Sequence, residues 1–208
     1  MEKDFYGCYN RIRPSILMKT PHAYIVEPEG DRYNNSKTIG GKDIILNSTL
    51  DETDFKYTNR IGVIRGCPRR SGDLLEGDRV IVHHNTFRMW TNVRGTLKDS
   101  ANFIKEGHFS VDLDQIFAYD RGDGWKTLED YCFIKPIGIL EGFVLENRTK
   151  QALKGIVKYG NKILEEQGIH EGDEIYFIGQ AEYVFEIDGE ILWKMSAYRN
   201  VKLRLNEG

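Results

Sequence analysis

The segment EGDRVIVHH beginning at Glu76 returns as EGDEIYFIG beginning at Glu171, and it does not return alone. Upstream, RIGVIRG (60–66) matches KGIVKYG (154–160), and further upstream AYIVEP (23–28) matches YCFIKP (131–136). Downstream, FSVDLDQIFAYD (109–120) takes the place of KMSAYRNVKLRL (194–205). Four elements in one order mark a tandem duplication, so the 208 residues divide into two copies of one small fold.

Each repeated element reads as a strand. Short apolar, β-branched and aromatic runs lie between Gly, Asn and Asp turns, and no sustained 3.6-residue periodicity competes with them. The runs Val80-Ile81-Val82 and Ile175-Tyr176-Phe177-Ile178 place apolar side chains on both sheet faces, as in a barrel wall, a sandwich or a subunit contact. Asp188-Gly189 between YVFEI and EILW signals a two-residue hairpin. The weak helical candidate is 99–106, and the join between copies is expected at 120–130, where RGDGWKTLED brings glycines and charges.

The copies differ most between their first and second elements. Copy one spends residues 29–59 there, polar and turn-rich except for Ile44-Ile45-Leu46 just after Gly40-Gly41; copy two spends only 137–153. A segment of that length suggests a functional loop. Two readings of the triplet stand: an ordinary strand packed on its own domain, or the apolar tip of a mobile loop that orders against a partner. Copy one also carries an insertion, 91–108, to which no chemistry is assigned.

Composition removes several classes of function. A net charge of −3 offers no broad attraction to nucleic acid or anionic membrane, and the cluster Arg60, Arg65, Arg69, Arg70 reads as a solvated loop. No membrane span and no secretory leader is visible, so a cytoplasmic setting is expected. Cys8, Cys67 and Cys132 form neither a disulfide framework nor a zinc motif. His83 and His84, as neighbours on a strand, would point to opposite faces and could not share a metal. With no nucleophile–base pair and no phosphate-binding glycine motif, no enzyme activity, cofactor or metal is expected. Phe87, Trp90, Tyr183, Phe185 and Trp193 could serve a nucleic-acid-binding barrel, but core packing accounts for them on strands.

The ordered set of elements resembles the co-chaperonin (GroES-like) family. Tyr24 to Pro28 is similar to its opening strand, Gly40-Gly41 with Ile44-Ile45-Leu46 to its mobile loop, and 61–66, 76–82 and 110–118 to the strands that follow. The second copy resembles the same pattern at 133–136, 155–160, 171–178 and 195–203. The resemblance implies an all-β chain of two tandem GroES-like small β-barrels. An N-terminal extension (1–15) would precede a first domain (16–122) with mobile loop 29–59 and insertion 91–108, and a second domain (128–208) lacking the loop. It further implies self-association into a ring and binding to the apical domains of a GroEL-like chaperonin through Gly40, Gly41, Ile44, Ile45 and Leu46. Lys42-Asp43 stand between glycines and aliphatics where the family has them adjacent, and the family's roof hairpin is shortened. Tandem forms occur in plastids and divergent single-domain ones in bacteriophages; without a transit-like N-terminus a bacterial or phage setting is expected, in the cytoplasm, which is the host's if the protein is phage-encoded. A virion structural or assembly part keeping the fold, and a single-stranded nucleic-acid-binding barrel, stand as alternatives.

Overall fold

The computed structural model describes residues 20–33, 36–39, 42–45, 57–69, 72–137, 152–178 and 183–204. They are predominantly strand, and all the sheets are antiparallel. The first half contributes β1 (Tyr24–Pro28), β2 (Ser36–Ile39), β3 (Lys42–Ile45), β4 (Ile61–Gly66), β5 (Arg79–Val82), β6 (Met89–Thr91), β7 (Leu97–Asp99), β8 (Phe103–Lys105), β9 (His108–Val111), β10 (Ile116–Asp120) and β11 (Trp125–Thr127). The second contributes β12 (Tyr131–Pro136), β13 (Ala152–Tyr159), α1 (Lys162–Glu166), β14 (Glu174–Ile178), β15 (Tyr183–Ile187), β16 (Glu190–Ser196), α2 (Ala197–Asn200) and β17 (Val201–Arg204).

Two sheets carry the duplication. One runs β11-β10-β5-β4-β1-β9-β8; the other, read from the same end, runs β17-β14-β13-β12-β16-β15. Apart from β11, every strand has a counterpart in the same place. Irregularities are duplicated too: the β1–β4 ladder shifts register between Ile25 and Val26, and the β12–β13 ladder between Phe133 and Ile134. A second pair of shifts interrupts β5–β10 and β14–β17. Bulges bend and twist a strand locally, so equal placement gives both sheets the same curl.

The Glu-Gly-Asp motif has an identical job in each half. Gly77 and Gly172 take φ of 95° and 91°, a conformation open to glycine at no steric cost. Their N–H groups donate to the Ile64 and Val157 carbonyls, while Asp78 and Asp173 accept from the Leu75 and His170 N–H groups. The pairing Pro28↔Gly62 and Pro136↔Gly155 also fixes the alignment of the second element. Gly62 corresponds to Gly155, one residue away from the match made by sequence ends. The fourth element shifts likewise, since Phe109 pairs with Val26 and Trp193 with Ile134.

Each half has its own core, built from equivalent positions: Val26, Ile64, Val80 and Phe109 in the first, Ile134, Val157, Ile175 and Trp193 in the second. Among the described residues neither sheet closes into a barrel: its end strands are not paired to each other. Residues outside the strands fill the interior instead. Leu74 and Phe87 do so in the first half, Leu164, Ile169 and Ala197 in the second.

The helical candidate at 99–106 is overturned. Asp99 ends β7, Phe103–Lys105 is β8, and Asn102 Nδ2 donates to the Ser110 carbonyl and to Gln115 Oε1, pinning the turn between them. Helix forms at α1 instead, where the Asn161 side chain caps the Leu164 N–H at 2.9 Å and Leu164 is buried. The insertion is also relocated. The β8–β9 hairpin has a counterpart in β15–β16, so what copy one adds is 83–102, where copy two has 179–182.

Candidate functional site

The excursion read as a loop leaves the first sheet at Tyr33 and returns at Thr58, which form an antiparallel bridge. Its base is clamped. Asn59 donates its N–H to the Arg32 carbonyl and its side-chain amide to the Glu29 and Asp31 carbonyls, each at 2.9 Å. Arg32 donates to the Phe87 carbonyl, pairs with Asp99 at 2.7 Å, and lies 5.0 Å from the Phe109 ring centroid. The Tyr33 hydroxyl accepts from the Met89 N–H, tying the base to β6. Buried Thr58, Asn59 and Arg60 follow in sequence, an uncommon run of polar residues for an interior, and the clamp accounts for Asn59.

Beyond the clamp, β2 and β3 form a two-stranded sheet of their own. Ser36 pairs with Ile45, Lys37 with Ile44 and Ile39 with Lys42. Ile44 and Ile45 therefore lie on a hairpin strand that belongs to neither large sheet. Gly40, Gly41 and Leu46 lie outside the described residues, as does most of the corresponding stretch of copy two.

A second assembly of residues lies between the halves. Ile81, Phe117, Ala118 and Trp125 of the first pack with Phe133, Phe185, Ile187 and Leu192 of the second in one buried cluster. The apolar face that Val80-Ile81-Val82 turns outward is thus covered within the chain, whereas Ile178, two residues past Tyr176, is exposed. Trp125 Nε1 donates to Asp188 Oδ2 across this seam at 3.0 Å. Asp188 and Gly189 have φ of 50° and 78°, the paired positive values of a type I′ turn, as their sequence predicted.

Arg60 is not part of a solvated loop. It is 9% exposed, donates to the Val184 carbonyl, and stacks 4.5 Å from the Phe185 ring centroid. Burial pulls its guanidinium down to about 10. Lys194 lies 4.3 Å from the Phe117 centroid and 4.4 Å from that of Tyr131, and burial lowers its pKa as well. Beside these cations, His83 and His84 do not point to opposite faces. The strand ends at Val82, the chain turns, and the two rings stack at 4.3 Å against Tyr183. Burial first, then the charge of His83 and that of Arg60, holds His84 down at about 3; burial, followed by the charges of Lys194 and Arg60, lowers His83. Both are neutral imidazoles at neutral pH.

Among the described residues no group of three or more His, Cys, Asp and Glu side chains is placed to hold a metal. Cys132 is buried, and that burial pushes its thiol up to about 12, far from a reactive thiolate. No helix of the described residues is long and apolar enough to cross a membrane. No family model matches the chain, and no curated protein matches it.

The seam was missed in the sequence. Asp188-Gly189 was legible as a turn and 120–130 as the join between copies, but the bond from Trp125 to Asp188 joins residues from different copies. Trp90 was misread: it is 45% exposed, while Trp125 and Trp193 are 5% and 9% exposed. Core packing accounts for the latter two and not for Trp90.

Proposed function

We propose that this chain is a co-chaperonin-like protein that assembles into a ring and caps a GroEL-like chaperonin, using the 33–58 excursion as its arm. The observation that supports this reading is the β2–β3 hairpin, clamped at its base by Tyr33, Thr58 and Asn59 and, among the described residues, strand-paired with neither large sheet. Two tandem GroES-like domains, here open-sided curled sheets with filled interiors, provide the body. Ile44, Ile45 and Leu46, with Gly40-Gly41 ahead of them, provide the apolar contact for the chaperonin's apical domains. A short arm buries little area, and ordering it offsets part of the contact energy, so each contact is weak. A ring of identical arms recovers tight capping through effective concentration. If phage-encoded, the protein would act in the host cytoplasm.

Ile45→Asp tests the proposal. Capping, read by co-sedimentation with a chaperonin and ATP, is expected to be lost while the melting temperature stays within a degree or two of wild type, since exposed substitutions cost about 0.5 kcal/mol or less. A variant that melts much earlier means that Ile45 is an ordinary core residue, and a stable variant that still caps ends the proposal. If the wild type assembles but never binds a chaperonin, the structural reading, a part of a larger assembly such as a virion, takes its place.

A further inference from the structure

The 83–102 segment, for which copy two has only residues 179–182, builds most of a cleft. It has a volume of about 470 Å³, and Asn85, Arg88, Trp90, Ser100, Asn102 and Gln115 are among the residues that border it. That volume falls in the range of small-ligand sites. Trp90 is a fixed wall: it lies on β6 opposite Lys98, and its Nε1 donates to the Asp99 carbonyl at 3.2 Å. Its ring is nonetheless nearly half exposed, unlike the other two tryptophans.

The polar groups around it are held in place too. Ser100 Oγ donates to the Thr86 carbonyl at 2.7 Å. The Asn102 amide donates to Gln115 Oε1 at 2.7 Å, which fixes both side chains and leaves an acceptor on Asn102 and a donor group on Gln115. Among the described residues no carboxylate borders the cleft. Arg88 makes no ion pair among the described residues, and Arg94 and Lys98 follow on the same hairpin, while Asp99 is taken up by Arg32.

We infer that this cleft binds a nucleotide: the base stacks on Trp90, its edge meets the Asn102 and Gln115 amides, and its phosphate pairs with Arg88. An exposed aromatic platform beside a cation is the arrangement that holds a base and its phosphate together. Side-chain amides match the donor and acceptor pattern of a base edge. None of the described residues that border the cleft belongs to the β2–β3 hairpin, and the inference does not depend on chaperonin binding. A free nucleotide and a nucleotide within a single strand share this chemistry.

Calorimetric titration of the full chain with adenosine 5′-monophosphate, adenosine and a short adenylate oligonucleotide tests the inference. Saturable binding of the monophosphate is expected, with adenosine weaker. Trp90→Ala should weaken it about tenfold or more, the usual cost of losing one stacked base, and Trp90→Phe should recover most of that loss. Arg88→Ala should reduce affinity for the monophosphate and leave that for adenosine unchanged. Equal affinity for monophosphate and oligonucleotide identifies free nucleotide as the ligand; a tighter, strongly salt-dependent oligonucleotide identifies a single strand. No saturable binding of any of the three at millimolar concentration, or binding untouched by both Trp90→Ala and Arg88→Ala, overturns the inference. Because chaperonin capping is measured separately on Ile45→Asp, failure of one reading leaves the other standing.

Discussion

Gly62 and Gly155 occupy the same place in the two halves, each directly against the carbonyl of the strand beside it. A Cβ at Gly62 would stand 2.6 Å from Val26 Cγ1, 2.8 Å from the Glu27 carbonyl oxygen and 2.9 Å from the Phe87 ring. At Gly155 the corresponding distances are 2.4 Å to Ile134, 2.8 Å to the Lys135 carbonyl and 3.1 Å to Phe177. The obstacle includes backbone, which cannot swing aside. Gly62→Ala and Gly155→Ala should therefore each cost about 1–3 kcal/mol or more, by the usual scale of overpacking. Urea unfolding measures it; a neutral result at either site would mean that the ladder there has more room than its register allows.

Two rings within the insertion should behave oppositely. Phe87 is fully buried and meets Phe109 edge-on with centroids 4.9 Å apart. Phe87→Ala should cost about 3–5 kcal/mol, whereas Trp90→Ala should leave the melting temperature nearly unchanged. Thermal melts of both variants decide it, and a large loss for Trp90→Ala would place that ring in a core after all.

The join between copies should resist proteases. β11 lies inside 120–130, pairs with β10, and sets buried Trp125 into the seam. Limited proteolysis of the wild type is expected to leave this stretch intact. Trp125→Ala removes the seam's indole and its bond to Asp188, and should open the join to cleavage into two pieces of similar size. Rapid cutting of the wild type at 120–130 would show that the halves are only loosely attached.

Acid should weaken the seam before it protonates the carboxylates. The folded pKa values of His83 and His84 lie below the unfolded value of about 6.5, so the unfolded chain binds more protons between the two. Stability from the neutral pair is complete above that pH and is lost as pH falls through it toward the folded values. The charges facing the pair, Arg60, Lys194 and Arg88 against Asp114, are mostly positive and oppose protonation. The melting temperature is expected to drop between about pH 6.5 and pH 5, and to drop less steeply in a His83→Gln, His84→Gln double variant. Parallel curves for the two proteins would exclude the histidines as the cause.

Self-association into a ring is expected at micromolar concentration, and native mass measurement reads it directly. A monomer alone would remove the multivalency on which capping by short arms depends.

The local sequence was enough to give the duplication, the all-β class, the Glu-Gly-Asp turns and the Asp188-Gly189 hairpin. Each rests on contacts or backbone preferences within a few residues, where residue type constrains conformation directly. The match between copies was one residue off at Gly62 and Trp193 because it followed the ends of the repeated runs, whereas the equivalent residue is the one that faces Pro28 or Pro136, Val26 or Ile134, across the ladder. His83 and His84 were misplaced because the strand ends at Val82 through a hydrogen bond from His83 N–H to the Gln115 carbonyl, far away along the chain. The sequence alone could not reveal that Ile81 is covered by the second half, that Arg60 stacks on Phe185, or that Trp90 stands open beside Arg88. Those depend on which surfaces meet when two curled sheets pack, and burial is a property of that meeting rather than of the residues themselves.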